Sequence, residues 1–218
     1  MPAELLILGA GGASREIAGA VADVNRAEPR WKLLGFLDDD PAKQDTHIDG
    51  LRVLGTIDSA RRSTARIVIG VARWQNPCVR RNIVERLALP RERYATIIHP
   101  SASVSPYAQV GNGTAILQNV VITPGTAIGD HVLVMQNVTM AHDQVVEDFV
   151  TIAPGAVIAG AVRLKQGCYI GARSVIMNGV TVNEGALVGI GSVVLRDVPA
   201  GRTASGNPAH QLPELRRH

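Results

Sequence analysis

Aliphatic residues recur every six positions through the second half of the chain. The series runs from Ile98 to Val194 in seventeen repeats, with no insertion between them. A period of six fits neither an amphipathic helix, whose period is about 3.6 residues, nor one long strand, whose period is about 2. A short and strict period predicts a solenoid, in which each repeat buries its apolar face only against its neighbours. The repeating positions are Ile98, Val104, Val110, Ile116, Ile122, Ile128, Val134, Met140, Val146, Ile152, Ile158, Leu164, Ile170, Ile176, Val182, Val188 and Val194.

The slots between these aliphatic residues have the composition of sharp corners. Four positions after most of them comes a small or β-branched residue, such as Ala102 or Thr114. Turn-forming pairs such as Asn112-Gly113 and Pro124-Gly125 lie in between, and Gly and Pro supply the φ angles that a tight turn needs. We therefore expect three hexads to close one triangular coil, with the aliphatic residue pointing to the axis. The coils should stack at about 4.8 Å and form a prism of between five and six coils.

The outward positions of this prism are also partly apolar. An exposed aliphatic surface of this extent is usually covered, so we expect some of it to be buried against neighbouring molecules. The outward aliphatic residues precede the inward ones by one position and are Val121, Leu133, Val145, Val157, Val175, Leu187 and Val193.

The first 90 residues follow a different pattern. Apolar runs predict short buried strands, and a glycine-rich turn from Gly9 to Ser14 predicts the start of a helix. A strand, a glycine turn, a helix and a second strand form a βαβ unit with a parallel sheet. Strands are predicted over 5–8, 32–37 and 65–69, helices over 15–25 and 77–87, and a linker over 90–94.

The glycine turn can bind an anion. Backbone N–H groups at a helix N-terminus can hold phosphate, and acidic residues after the second strand can bind ribose hydroxyls or base N–H groups. Those positions are Gly11, Gly12, Asp38 and Asp39. The full dinucleotide pattern fails because its last place is Ser14. A mononucleotide-type ligand, a turn without a ligand and an NAD-dependent domain stay open at this point.

The repeat is least regular around His142. This residue stands where a turn residue is usual, with Asp143 beside it, Met140 in the aliphatic slot and Gln144 in the small slot. Histidine can transfer protons near neutral pH, and an adjacent carboxylate can fix its tautomer. A general base and a solvated corner histidine are the two interpretations of this hexad.

Composition excludes several classes of protein. The net charge is +3, without a Lys/Arg run that is interleaved with aromatic residues, which argues against nucleic acid as a partner. No stretch approaches the roughly 20 apolar residues of a membrane span, and no signal segment opens the chain. Two cysteines do not make a disulfide framework. We therefore expect a cytoplasmic protein without membrane insertion.

The whole chain resembles the sugar acetyltransferases of the PglD/NeuD type, a branch of the hexapeptide-repeat acyltransferases. The resemblance implies a small Rossmann-like α/β domain that binds a nucleotide-sugar, at residues 1–94, and a left-handed parallel β-helix at residues 95–218. It further implies acetyl transfer from acetyl-CoA to the amine of a nucleotide-linked amino sugar, and a homotrimer with the active site between subunits. Six segments carry it in order: Ile7-Leu8-Gly9-Ala10-Gly11-Gly12, Gly35-Phe36-Leu37-Asp38-Asp39, Ile98-His99-Pro100-Ser101-Ala102, Ala141-His142-Asp143, Ile152-Ala153-Pro154-Gly155-Ala156 and Gly206-Asn207-Pro208-Ala209.

The resemblance also assigns roles to residues. It implies that His142 is the general base and that Asp143 increases its basicity, without a metal. Thr151 departs from the family, which often has histidine there, and we expect an altered cofactor contact. The substrate positions are Gly11, Gly12, Ala13, Asp38, Asp39 and Gly70, and the acetyl-CoA positions are Thr151, Gly160, Ala172 and Ile190.

Three other functions stay open. The acceptor can be a hydroxyl, as in a sialic acid O-acetyltransferase. A metal-dependent hydratase of the γ carbonic anhydrase kind needs three converging histidines, whereas His131 and His142 fall at different slots of the repeat. The prism can also be a non-catalytic scaffold beside a ligand-sensing domain. The residues do not identify the nucleobase, the sugar or the acyl group.

Overall fold

The N-terminal part is built around a three-stranded parallel sheet. The structure is a computed structural model and describes residues 1–213. The first strand of the chain lies in the middle of the sheet, between the other two strands. This order predicts a cleft at the carboxyl ends of the strands. The elements are β1 (Ala3–Leu8), α1 (Gly12–Ala27), β2 (Trp31–Leu37), the small antiparallel hairpin β3 (His47–Ile48) and β4 (Leu51–Arg52), β5 (Arg66–Ile69) and α2 (Val79–Leu87), with 3-10 turns at Pro41–Lys43, Ile57–Arg62 and Arg91–Arg93.

Alternate residues of β1 face opposite layers of the domain. Leu5 and Ile7 pack in one cluster with residues of α1, and Leu6 and Leu8 pack in another with residues of α2. This is why the strand is apolar without alternation, as expected for a parallel strand that is covered on both sides. The predicted βαβ unit is therefore confirmed.

Both helices begin at different residues from those predicted. Helix α1 begins at Gly12 rather than Arg15, because Gly11 is the last residue with extended backbone angles. Helix α2 begins at Val79 rather than Pro77. The side chain of Asn76 accepts a hydrogen bond from the Cys78 N–H at 3.2 Å and holds the preceding residues in a turn.

The hexads form three parallel sheets of two-residue strands, each sheet one face of a triangular prism. Face A consists of Ser103–Val104, Val121–Ile122, Thr139–Met140, Val157–Ile158, Val175–Ile176 and Val193–Val194. Face B consists of Gln109–Val110, Ala127–Ile128, Val145–Val146, Arg163–Leu164 and Thr181–Val182. Face C consists of Ile97–Ile98, Ala115–Ile116, Leu133–Val134, Thr151–Ile152, Tyr169–Ile170 and Leu187–Val188, and is extended by Thr203–Gly206 and Ala209–Gln211. The corners AB, BC and CA are named after the faces that they join.

The interior of the prism follows the hexad pattern. The repeating aliphatic residues and the residues four places later form one continuous buried cluster from Ile116 onward. In the first coil, Val104 and Val110 are only partly buried and Ile98 is 39% exposed, because no coil precedes this one. The solenoid predicted from the period is therefore confirmed.

The N-terminal domain covers face C. Outward residues Ala115 and Leu133 of this face share a buried cluster with Leu5, Ile7 and Ile17. The hexad pattern predicts Leu133 and Leu187 on the outward surface, but Leu133 is only 2% exposed and Leu187 is also buried. The outward aliphatic surface is therefore smaller than the sequence indicates, and it lies mainly on face A.

The predicted linker is packed between the two parts. The Ala95 N–H donates to the Ile67 carbonyl at 2.7 Å, and Tyr94 bridges to Ile67 as an additional parallel strand would. Tyr94 is buried and contacts His131 of the prism edge-on. The chain thus passes from one domain to the other within a shared core.

Candidate active site

A cavity of about 520 Å³ lies at the carboxyl ends of the parallel strands. Gly11 and Gly12 form its floor at the start of α1, and a methyl group added at either would meet no atom within 4 Å. The first turn of α1 carries no acidic side chain, and no side chain caps its N-terminus. Open backbone N–H groups at this position favour an anionic group such as phosphate. Ala13, the third residue predicted here, also lines the cavity.

Asp38 and Asp39 both line the cavity, and both carboxylates have partners. Asp38 accepts hydrogen bonds from the Ala10 N–H at 2.7 Å and from Lys43 Nζ at 3.1 Å. Burial would raise the pKa of Asp38, but the backbone N–H groups of Asp40 and Ala10 and the ammonium of Lys43 outweigh it and lower the pKa. Asp39 accepts from the Ile57 N–H at 3.0 Å and from Arg86 Nη2 at 2.8 Å.

Gly70 allows α1 to pack against the end of β5. A methyl group at Gly70 would lie 2.4 Å from Ser14 Oγ and 2.6 Å from Ser14 Cα. Ser14 is fully buried. Ser14 is therefore accommodated in the last place of the glycine pattern, because Gly70, directly after β5, lets the helix and the strand approach closely.

Three basic side chains line the cavity without being predicted from the sequence. Lys43 lies on a 3-10 turn, Arg73 follows β5 and Arg86 is on α2. They belong to separate elements and share no motif. The signal that could have found them is topological, since each follows or faces the carboxyl end of a parallel strand.

His142 and Asp143 form an exposed pair at the AB corner. His142 Nδ1 lies 2.9 Å from Asp143 Oδ2, and the two side chains are 64% and 70% exposed. Asp143 has a positive φ of 60°, which places its side chain beside the ring of the preceding histidine. With the carboxylate at Nδ1, the opposite nitrogen Nε2 is directed at the next coil.

Gly160 lies buried in the next coil beneath the His142 ring. A methyl group at Gly160 would lie 2.7 Å from both Cε1 and Nε2 of His142 and 3.2 Å from Asn178 Nδ2. The structure therefore brings Gly160, predicted to contact acetyl-CoA, together with the predicted base.

The other predicted acetyl-CoA positions lie elsewhere. Ala172 and Ile190 occupy the CA corner, and Ile190 is 80% exposed. One prism therefore carries these two residues and His142 on different edges.

Thr151 is buried on face C, with 4% of its surface exposed. Its hydroxyl accepts a hydrogen bond from Arg80 Nη2 at 2.9 Å. Arg80, on α2, also donates to the carbonyl groups of Val71, His131, Phe149 and Val150. Burial lowers the pKa of Arg80 to about 10. Thr151 thus lies in the contact between the two domains.

His99, His131 and His142 lie at three different corners of the prism. His99 pairs with Asp23 of α1, with His99 Nε2 2.9 Å from Asp23 Oδ2, and His131 is stacked on Phe149. Within residues 1–213 no three His, Cys, Asp or Glu side chains are grouped so that they could hold a metal ion. Across the same residues, no helix is long and apolar enough to cross a bilayer.

Comparison with known proteins gives three further findings. Residues 4–87 match the family model of the PglD N-terminal domain. UDP-N-acetylbacillosamine N-acetyltransferase of Bacillus subtilis is 48% identical over 42 residues, so the match spans only 19% of either chain. The acetyltransferase domain of PglB from Neisseria gonorrhoeae, solved with acetyl coenzyme A, is 31% identical, with a TM-score of 0.86 over 97% of this chain and 100% of that chain.

A fourth comparison concerns the fold alone. PerB from Caulobacter crescentus, solved with CoA and GDP-perosamine, is 24% identical, with a TM-score of 0.83 over 96% of this chain and 97% of that chain. The two-domain architecture and the full-length match to the Neisseria domain agree with the motifs found in the sequence. This chain belongs to the PglD-type sugar acetyltransferases, with a Rossmann-like domain followed by a left-handed β-helix.

Proposed function

We propose that the protein transfers an acetyl group from acetyl-CoA to the amine of a nucleotide-linked amino sugar, with His142 as general base. The observation that carries the proposal is the exposed His142–Asp143 pair over Gly160. The Neisseria relative was solved with acetyl coenzyme A. The Bacillus relative is named for an N-acetyltransferase of a UDP-linked sugar, and this name supports a nitrogen acceptor.

Proton transfer in this scheme follows from the tautomer of His142. Asp143 accepts a hydrogen bond from the Nδ1–H of His142, so the proton of the neutral ring stays on Nδ1. The Nε2 atom then has a free lone pair and removes a proton from the attacking amine. The amine nitrogen forms a bond to the thioester carbonyl carbon, and the carbon–sulfur bond breaks. The proton on Nε2 then passes to the departing thiolate, which restores neutral His142.

The Gly160 N–H is the donor that we assign to the thioester oxygen. Negative charge develops on this oxygen as the amine attacks, and a fixed backbone donor stabilises it more than water does. General-base catalysis contributes about 10²–10⁴-fold to the rate, and the positioning of two bound substrates adds to it.

The cavity beside α1 is the proposed site of the nucleotide. The N–H groups around Gly11, Gly12 and Ala13 bind a phosphate in this scheme, and Arg73 and Lys43 compensate its charge. Asp38 and Asp39 face the remaining polar groups of the nucleoside. Gly70 contributes by keeping the wall formed by Ser14 close to β5.

Acetyl-CoA is proposed to bind between two chains of a homotrimer. Ala172 and Ile190 lie at the CA corner and His142 at the AB corner, so a ligand that touches both sets has to lie between neighbouring prisms. Gly160, Ala172 and Ile190 remain the proposed contacts. Thr151 is left out of this set because Arg80 already occupies its buried hydroxyl.

The test is acetyl transfer by the wild type and by His142→Ala, with His47→Ala as an exposed histidine that lies far along the chain. We expect H142A to lose most turnover, about 10²-fold or more, and to bind acetyl-CoA nearly as the wild type does. Near-normal turnover of H142A would remove His142 as the base. Titration with UDP, GDP and CMP identifies the nucleotide, and binding of none of them favours the sialic acid O-acetyltransferase or another acceptor without a nucleotide. Absence of transfer to every acceptor favours a non-catalytic scaffold.

A further inference from the structure

Gln144 is an unexpected side chain for the interior of the prism. It fills the inward slot that Val138 and Val162 fill in neighbouring hexads, and it is fully buried. Its Nε2 donates to the Ile158 carbonyl at 2.9 Å and to the Ala159 carbonyl at 3.1 Å. Its Oε1 is buried without a partner among the described residues. A buried amide oxygen without a partner destabilises the fold, so core packing alone does not explain a glutamine here.

One of the two hydrogen bonds of Gln144 fixes the peptide unit between Ala159 and Gly160. The Ala159 carbonyl belongs to the same planar unit as the Gly160 N–H, and in a trans peptide these two groups point in opposite directions. Gln144 draws the carbonyl toward the axis of the prism. The Gly160 N–H is therefore directed away from the axis, on the side of the prism where His142 lies.

The same slot at the BC corner shows this outward direction directly. There the Asn112 N–H donates to Asp130 Oδ1 at 2.7 Å, and the Asp130 N–H donates to Asp148 Oδ1 at 2.7 Å. Each of these backbone N–H groups donates to a carboxylate of the next coil, outside the prism. At the AB corner, the residue that follows Gly160 by one coil is Asn178, so no carboxylate stands in that place.

Two other turns of the prism, one at the AB corner of the next coil and one at the BC corner, hold the corresponding carbonyl in two different ways. The Met177 carbonyl accepts from the Val180 N–H at 3.3 Å, within its own turn. The Gly129 carbonyl instead accepts from the hydroxyl of Thr114 at 2.9 Å, an inward side chain of the preceding coil. Gln144 holds the Ala159 carbonyl as Thr114 holds the Gly129 carbonyl, from an inward side chain 15 residues earlier in the chain.

We propose that Gln144 is a positioning residue, which orients the Gly160 N–H toward the thioester oxygen by holding the Ala159 carbonyl. The inference rests on the proposed function. It goes further by giving a role to a buried residue that touches neither substrate. The hexad that carries the base thereby also sets the direction of the donor that works with it.

The chain itself provides a matched pair of variants. Gln144→Val places in this slot the residue found at Val138 and Val162, and Gln144→Thr adds only the hydroxyl that Thr114 uses. We expect kcat of Q144V to fall about tenfold or more, because removal of one such donor costs about 10²–10³. The KM values for both substrates and the pH profile should stay close to those of the wild type. Q144T should regain a large part of the lost kcat.

Crystal structures of Q144V and Q144T test the same inference without an assay. In Q144V we expect the Ala159 carbonyl to turn toward the Val162 N–H, as Met177 does toward Val180, and in Q144T to stay inward. An unchanged peptide in Q144V, or equal kcat values in Q144V and Q144T, would overturn the inference. If the wild type transfers no acetyl group to any amino sugar, the proposed function fails, and the peptide orientation alone decides whether Gln144 holds it.

Discussion

Two glycines make the space in which His142 and Asp143 lie. A methyl group at Gly125, one coil earlier, would lie 2.2 Å from Asp143 Oδ1, and one at Gly160 would lie 2.7 Å from the His142 ring. Gly125 also has a positive φ of 76°, whereas the backbone of Gly160 does not require glycine. At the CA corner the same slot holds Ala172. Position 160 is therefore a glycine because a larger residue would clash with the His142 ring, and not because its backbone conformation requires glycine.

Gly160→Ala is expected to lower turnover while leaving the prism folded. The added methyl group must displace the His142 ring, and a misplacement of about 1 Å at a reacting group can cost about 10²-fold in rate. Steady-state kinetics and the thermal midpoint measure the two effects separately. Gly19→Ala is the control, because a methyl group there meets no atom within 4 Å, and its turnover should equal that of the wild type. Wild-type turnover of G160A would show that the ring does not depend on this space.

The candidate base could be predicted from the sequence because it interrupts a repeat. His142, Asp143 and Gln144 stand out only against the regular hexads on either side. Arg80 gives no such signal, because the carbonyl groups that it contacts in the prism lie 51 to 70 residues away in the chain. The role of Gln144 could not be predicted either, since it depends on the direction of a peptide in the next coil.

The strands of the prism could be predicted because one residue in six must reach the axis. The period fixes which side chains are inward, whereas it carries no information on what covers the outside. The burial of Leu133 and Thr151 on face C follows from the docking of α1 and α2, which the hexads do not encode. The helix starts depend on single hydrogen bonds, such as the one from Cys78 to Asn76, and these are weakly marked in a sequence.

His131, at the BC corner, is expected to make the free energy of unfolding depend on pH. Burial against Phe149 and Tyr94 lowers the pKa of His131 to about 4. The unfolded chain takes up a proton near pH 6.5, so the stabilisation is complete above that pH and is lost as the pH falls toward about 4. The loss amounts to roughly 3 kcal/mol at most. Urea unfolding at pH 7.5 and pH 5 measures the part of this loss that falls above pH 5.

His131→Asn is the matched variant for this dependence. Asparagine tolerates the positive φ of 56° at this position, and it does not titrate. H131N should be less stable at pH 7.5 because the ring contacts are lost, yet its stability should change less between the two pH values. An equal change in both proteins would assign the dependence to other groups. One such group is Asp23, because the pKa of its carboxyl is lowered chiefly by the hydrogen bond to His99.

At the scale of the whole molecule, the docking of the N-terminal domain decides which surface is left for a partner. Face C is covered, and face B carries Arg163 and Thr181 among its outward residues. Face A presents Val121, Val157 and Val175, each more than a third exposed, in one vertical row. A row of this kind on a flat sheet favours burial against another copy of the chain. Face A also borders the AB corner, where His142 lies.

We therefore expect the protein to form trimers through face A and Val157→Lys to dissociate them. A lysine in the middle of the row would bury an unpaired charge in the contact, which is strongly unfavourable. Sedimentation equilibrium should give about three times the chain mass of 23.1 kDa for the wild type and a smaller mass for V157K. Turnover should fall together with the mass, because His142 and the Ala172–Ile190 edge then no longer face each other across two chains.

Val145→Lys distinguishes this expectation from a general effect of charge. Val145 has the same chemistry and nearly the same exposure, but it lies on face B beside Arg163. V145K should keep both the trimer mass and the turnover. If V145K dissociates the protein and V157K does not, the contact lies on face B. If V157K is a monomer with full turnover, the site is complete within one chain, and Ala172 and Ile190 have no part in it.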